Sequence, residues 1–237
     1  KNLVVIGSVY LVGNILEIFN GELSKERTSL SDRLTPDPAL VCEKLERYYG
    51  KVEYYSESPF KVLISTILSQ RTKDEFTMKA VKNLFSKIRT PEELLTINIT
   101  TLKKLIRPCG FYNVKARIIK EVAKTLLAKF DGKVPSTLEE LLSLPGVGRK
   151  TANCVLVYGY NKSAIPVDTH VHRIANILQI VHTTTPEKTE EELMKIIPKN
   201  YWHELNDYFV RLGRTICTPK KRKCSICPLN DVCPSAE

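Results

Sequence analysis

Residues 113–130, NVKARIIKEVAKTLLAKF, carry apolar side chains at Ile119, Val122, Ala123, Leu126, Leu127 and Phe130. These intervals put all six on one face of a helix, the pattern of a segment buried along one side. Working outward, the same periodicity predicts helices near 37–49, 59–70, 74–88, 91–97, 99–107, 136–143, 149–159, 169–180, 187–197 and 201–216. Start signals support the count. Thr90-Pro91-Glu92-Glu93 and Ser136-Thr137-Leu138-Glu139 read as capping boxes, and Thr185-Pro186 is a weaker copy. No alternating strand pattern follows residue 20, so the fold class is all-α with short connections and no sequence repeat.

The 237 residues are 43% hydrophobic and 26% charged, enough for one large domain or two small ones and incompatible with a disordered or fibrous chain. A formal net charge of +10 favours a polyanionic partner such as nucleic acid. The excess is concentrated in residues 101–129, where Lys103, Lys104, Arg107, Lys115, Arg117, Lys120, Lys124 and Lys129 stand against Glu121 alone. Such a stretch is either a solvated helical face or a phosphate-facing surface.

The one long apolar run, Leu3–Phe19, is broken by Gly7, Ser8, Gly13, Asn14 and Glu17, and makes a poor membrane span; a signal-peptide cleavage site is also missing from NGELSKER. No membrane partner is expected. The run reads as an added amphipathic strand or helix, although LVVIGSVYLVG also resembles the closing strand, turn and helix of a folylpolyglutamate synthase (Mur-ligase-like) domain. A start at Lys1 suits a fragment or processed form, and residues 20–36 read as a linker.

Three motifs carry chemistry. In Leu144-Pro145-Gly146-Val147-Gly148-Arg149-Lys150-Thr151, two glycines allow a tight hairpin, and the helix that follows offers unpaired N–H groups and its positive end to a phosphate. A plain helix-to-helix turn uses similar glycines; Pro145 and the Arg149-Lys150 pair favour a helix–hairpin–helix that grips the DNA backbone. In Val167-Asp168-Thr169-His170-Val171-His172-Arg173, Asp168 stands where a helix N-cap is expected, a role compatible with catalysis. His170 and His172 are wrongly spaced for a metal pair on one helix face and read as packing or hydrogen-bonding residues.

The third motif is the tail, with thiols at Cys217, Cys224, Cys227 and Cys233, while Cys42, Cys109 and Cys154 sit among apolar neighbours as reduced, buried thiols. Four thiolates this close can surround one Zn2+ or one iron–sulfur cluster. One Cys-x2-Cys with two wider gaps favours the larger cluster, and spacing alone leaves zinc open. Between the first two cysteines, Lys220, Lys221, Arg222 and Lys223 form a loop able to meet phosphates.

LPGVGRKTAN, VDTHVHR and C-x6-C-x2-C-x5-C, in this order, resemble the endonuclease III family of helix–hairpin–helix DNA glycosylases and abasic-site lyases, from about residue 36 to the end. The resemblance implies two helical domains with a DNA cleft between them. A six-helix domain would span 56–167; 36–55 and 168–237 would form a [4Fe–4S] cluster domain on the four tail cysteines; 1–35 would lie outside. It implies Lys150 as nucleophile and Asp168 as the essential carboxylate. A free lysine amine is almost wholly protonated at neutral pH, so a nucleophilic one needs burial and nearby cations.

The resemblance also implies that Phe111, with Tyr112 and Asn113, wedges the duplex, although a core aromatic beside a helix start is the plainer role. It implies that Gln70 or Arg71 fills the gap left by an extruded nucleotide, and that Gly146, Gly148, Arg149 and the 220–223 loop touch DNA. The expected activity is excision of damaged pyrimidines with β-elimination at the abasic site. The partner would be double-stranded DNA holding damaged bases or abasic sites, met by a monomer in the cytoplasm, nucleoid or nucleus. The alternatives are a monofunctional mismatch glycosylase, against which Lys150 speaks because those relatives resemble Ser or Tyr there, and a noncatalytic DNA-binding module.

Overall fold

The computed structural model describes residues 35–52 and 57–236. The readings of Leu3–Phe19 and of the linker lie outside those residues. Eleven α-helices carry the described chain, and the one strand-like feature among the described residues is an isolated antiparallel bridge between Cys217 and Arg222. The all-α expectation holds.

Residues Val52–Pro166 form one compact unit, and 35–51 with 167–236 form a second. In the first unit the helices are α2 (Pro59–Ser69), α3 (Asp74–Phe85), α4 (Pro91–Thr96), α5 (Ile99–Leu105), α6 (Tyr112–Lys129), α7 (Leu138–Leu142) and α8 (Arg149–Cys154). Every side chain from Val62 to Leu68 is buried, so α2 is the central rod on which α3, α6 and α8 pack. The predicted stripe of α6 faces this core: Ile119, Val122, Ala123 and Leu126 are inaccessible, and Phe130 packs at its edge.

The helix predicted over 149–159 is regular only to Cys154; Val155–Gly159 widens into a π-turn. A Cβ on Gly159 would stand 3.0 Å from Cα of Pro59, so the missing side chain lets this turn lie against the start of α2.

The second unit holds α1 (Pro38–Tyr49), α9 (Thr169–Ile177), α10 (Pro186–Ile196) and α11 (Leu205–Thr215). α11 packs on α1 and α9, and Lys44 of α1 pairs with Asp231 of the tail at 2.7 Å. The start expected at 201 is displaced to Leu205, because Lys199–Tyr201 forms a separate 3-10 turn.

Two caps differ from the expected boxes. Thr90 accepts from the Glu93 amide as predicted, but the Glu93 carboxylate receives the Arg89 amide one residue earlier than a capping box requires. In α7 the cap is Thr137, which accepts from the Glu140 amide, so that box is shifted one residue past Ser136.

Candidate active site and nucleic-acid interface

The hairpin is built as its glycines require. Gly146 has φ +70, and a Cβ there would come within 2.7 Å of Cγ2 of Ile118. Both the left-handed backbone and the missing methyl are needed for the hairpin to sit on α6. Gly148 is the N-cap of α8, and Arg149 and Lys150 are its first two residues, each half-buried. Lys150 is therefore carried on the first turn of a helix whose Thr151, Ala152, Asn153 and Cys154 are buried, a rigid mount for a side chain that itself remains reachable.

Beside the hairpin lies the turn that follows α2. Gln70 donates from Nε2 to the Gly146 carbonyl at 3.2 Å and to Thr151 Oγ1 at 3.4 Å. Arg71 is exposed, with φ +50. Close to this turn is the loop before α6, where Gly110 donates its amide to Thr72 Oγ1 at 3.2 Å. Phe111 is the N-cap of α6, has φ +57 and is 61% exposed.

A large aromatic held in left-handed backbone and presented to water is not a core residue, and strained positions of this kind concentrate at functional sites. Tyr112, by contrast, is half-buried against the core, which limits its part in any DNA contact, and Asn113 is exposed.

The basic stretch needs correction. Lys115 is 4% exposed and Lys120 is half-buried, with its ammonium on the carbonyls of Leu95 and Ile97. Both serve the interior. The outward cations of the stretch are Lys104, Arg107, Arg117, Lys124 and Lys129, with Lys103 half-buried. Periodicity carried the signal for Lys115, which lies four residues before Ile119 on the apolar face.

In the second unit Asp168 caps α9, with Oδ1 accepting from the amides of His170 and Val171 at 2.8 and 2.9 Å. His170 packs against α11 at Gly213, where a Cβ would stand 2.6 Å from Nδ1 of the imidazole. Burial holds His170 toward its neutral form, and Nδ1 finds no partner among the described residues. His172 meets Thr189 Oγ1 at 2.6 Å, the hydrogen-bonding role expected of it.

No disulfide joins any of the seven cysteines. Cys217, Cys224, Cys227 and Cys233 line one cavity together with Ile177, Ile216 and Ala236. Burial, reinforced by the other three thiols, pushes Cys227 up to about 11, and Cys233 is raised for the same reasons. Such thiols keep their protons unless a cationic centre displaces them. Among the described residues no three His, Cys, Asp or Glu side chains are arranged to hold a single metal ion; four thiols lining one cavity are the donor set of an iron–sulfur cluster or of Zn2+. Lys220, Lys221, Arg222 and Lys223 are exposed above them, with Arg222 also bonded to the Ser235 carbonyl.

A model of the HhH-GPD superfamily of base excision DNA repair proteins matches residues 64–199, more than half of the chain. Endonuclease III of Thermotoga maritima is 53% identical over 175 residues, covering 74% of this chain and 82% of that protein. The chain belongs to the endonuclease III family. The chloroplastic endonuclease III homolog 1 of Arabidopsis thaliana is 36% identical over 98% of this chain, which spans only 63% of that longer protein. Its alignment reaches into residues 1–35, which the motifs had left outside. A solved endonuclease III–DNA covalent intermediate superposes with a TM-score of 0.75 at 35% identity, covering 82% of this chain and 93% of that one.

Proposed function

We propose that the protein is a bifunctional glycosylase and abasic-site lyase. It acts as a monomer on double-stranded DNA, removing oxidised or otherwise damaged pyrimidines and cutting the strand at the site it creates. The observation that carries this reading is Lys150, a half-buried primary amine on the first turn of α8, directly after the left-handed turn at Gly146. A monofunctional enzyme has no use for an amine there, and a passive backbone clamp would use Asp168 only as the cap of α9.

The chemistry follows from the residue types. A base inside the duplex is out of reach, so its nucleotide must rotate out of the stack. Phe111, exposed and held in left-handed backbone, wedges the stack open, and Gln70 or Arg71 fills the vacated space. The Lys150 Nζ lone pair then attacks C1′, and the glycosidic bond breaks with its electrons leaving on the base, which takes up a proton. Ring opening gives a Schiff base between Nζ and C1′. Loss of a proton from C2′ then expels the 3′ phosphate, and water releases the lysine. Asp168 accepts the proton the amine must lose and offsets positive charge developing at C1′; its cap uses Oδ1.

Cys217, Cys224, Cys227 and Cys233 would hold a [4Fe–4S] cluster, which when bound braces the tail through four iron–thiolate bonds. The 220–223 loop then meets the phosphate backbone with fixed geometry. The deciding experiment incubates the protein with abasic and oxidised-pyrimidine duplexes in borohydride. A covalent complex is expected that Lys150→Ala abolishes while binding persists. Trapping that survives the substitution would refute the assignment, and salt-sensitive binding without cleavage by the unaltered protein would leave only a DNA-binding module.

A further inference from the structure

Lys115 is the one lysine of α6 with its side chain sealed inside. Its Nζ donates to the Leu68 carbonyl at 2.7 Å, the Gln70 carbonyl at 2.5 Å and Thr72 Oγ1 at 2.7 Å. An ammonium has three donors, and all three go to the end of α2 and the turn beyond it. Thr72 Oγ1 also receives the Gly110 amide, so one hydroxyl joins the 70–72 turn to the 110–111 loop. The two backbones touch: a Cβ on Gly110 would stand 3.0 Å from the Arg71 carbonyl oxygen. On either side of this junction an exposed non-glycine residue is held in left-handed backbone, Arg71 at φ +50 and Phe111 at φ +57.

An apolar residue at 115 would extend the stripe of Ile119, Val122 and Leu126 and bury without desolvating a charge. A cation there instead satisfies carbonyls that the end of α2 leaves open and sits at the negative end of that helix. Burial lowers the pKa of the amine, against which the carbonyls supply compensating polarity.

We infer that Lys115 is a positioning residue that locks the Gln70–Thr72 turn and the Gly110–Phe111 loop into a single two-pronged probe, so that Arg71 and Phe111 enter the duplex together. The inference rests on the glycosylase–lyase reading and deepens it, because it assigns to these prongs the opening of the base stack rather than the chemistry on the sugar.

The test compares two abasic substrates, one fully paired and one with the abasic sugar inside an unpaired bubble where no stack has to be opened. Lys115→Met and Thr72→Val are the variants, the second removing one acceptor while leaving the lysine two. Both should slow single-turnover cleavage of the paired duplex by about tenfold or more and leave the bubble within about twofold of the unaltered protein. In parallel, 2-aminopurine opposite the abasic site should brighten less on binding. Equal loss on both substrates, or full activity of Thr72→Val on paired duplex, overturns the inference while the lyase reading stands. An unaltered protein that cleaves neither substrate overturns the reading beneath it as well.

Discussion

Gln70 spends its side-chain amide on the carbonyl of Gly146, 3.2 Å away, so the turn after α2 is tied to the apex of the hairpin. Its neighbour Arg71 is exposed, and under the proposed function it is the candidate that would reach the base left unpaired.

Arg71→Ala should therefore reduce excision by about tenfold and flatten the dependence of rate on the opposite base, since a charged bidentate donor discriminates by about 1–3 kcal/mol. Gln70→Ala should instead slow all four pairings equally, by roughly the factor of five that one hydrogen bond represents. Single-turnover rates against the four opposite bases measure both.

Phe111→Gly should separate stability from activity. Glycine adopts φ +57 without penalty, and the exposed ring contributes little burial. The melting temperature should be unchanged or higher, by a relief on the order of 1 kcal/mol, while excision from paired duplex falls. A variant equal to the parent in both assays would remove Phe111 from the interface.

The tail should give a brown protein that absorbs visible light, and Cys227→Ser should bleach it and weaken DNA binding through the 220–223 loop. With its thiol at about 11, Cys227 takes up a proton when a metal leaves, so loss of the cluster at neutral pH should consume protons from a weakly buffered solution. A colourless protein with stoichiometric zinc would overturn the assignment.

Asp207 should make folding pH-dependent. Burial raises its carboxyl from 3.8 to about 6, although Arg211 Nε lies 2.7 Å from Oδ2 and pulls the other way. The folded state thus holds this proton more tightly than the unfolded chain. Its contribution is fully present below the unfolded value and is lost as pH rises through about 6, a change of about 3 kcal/mol. Asp207→Asn should flatten the melting temperature between about pH 4 and pH 7.

Much of this is legible in the sequence alone. Helix periods, the Thr90 and Asp168 caps and the three motifs depend on local chemistry, and local chemistry is written in order along the chain. The misses have a common physical origin in tertiary packing. Val155–Gly159 is apolar throughout, so no period could reveal that it widens to meet Pro59. Lys115 reads as one more cation of the 101–129 stretch because its charge outweighs its position on the buried face, and the carbonyls that receive it come from forty-odd residues away. The outward display of Phe111 depends on a left-handed turn that a phenylalanine does not advertise.

Gly213 illustrates how far such dependence extends. Any side chain added there would strike the imidazole two positions after the Asp168 cap, and the nearby Arg173 guanidinium as well. A genetic screen for repair-deficient alleles should accordingly recover lesions in the last turn of α11, in a codon that encodes no reactive group, and those alleles would be silent in every sequence search for catalytic signatures.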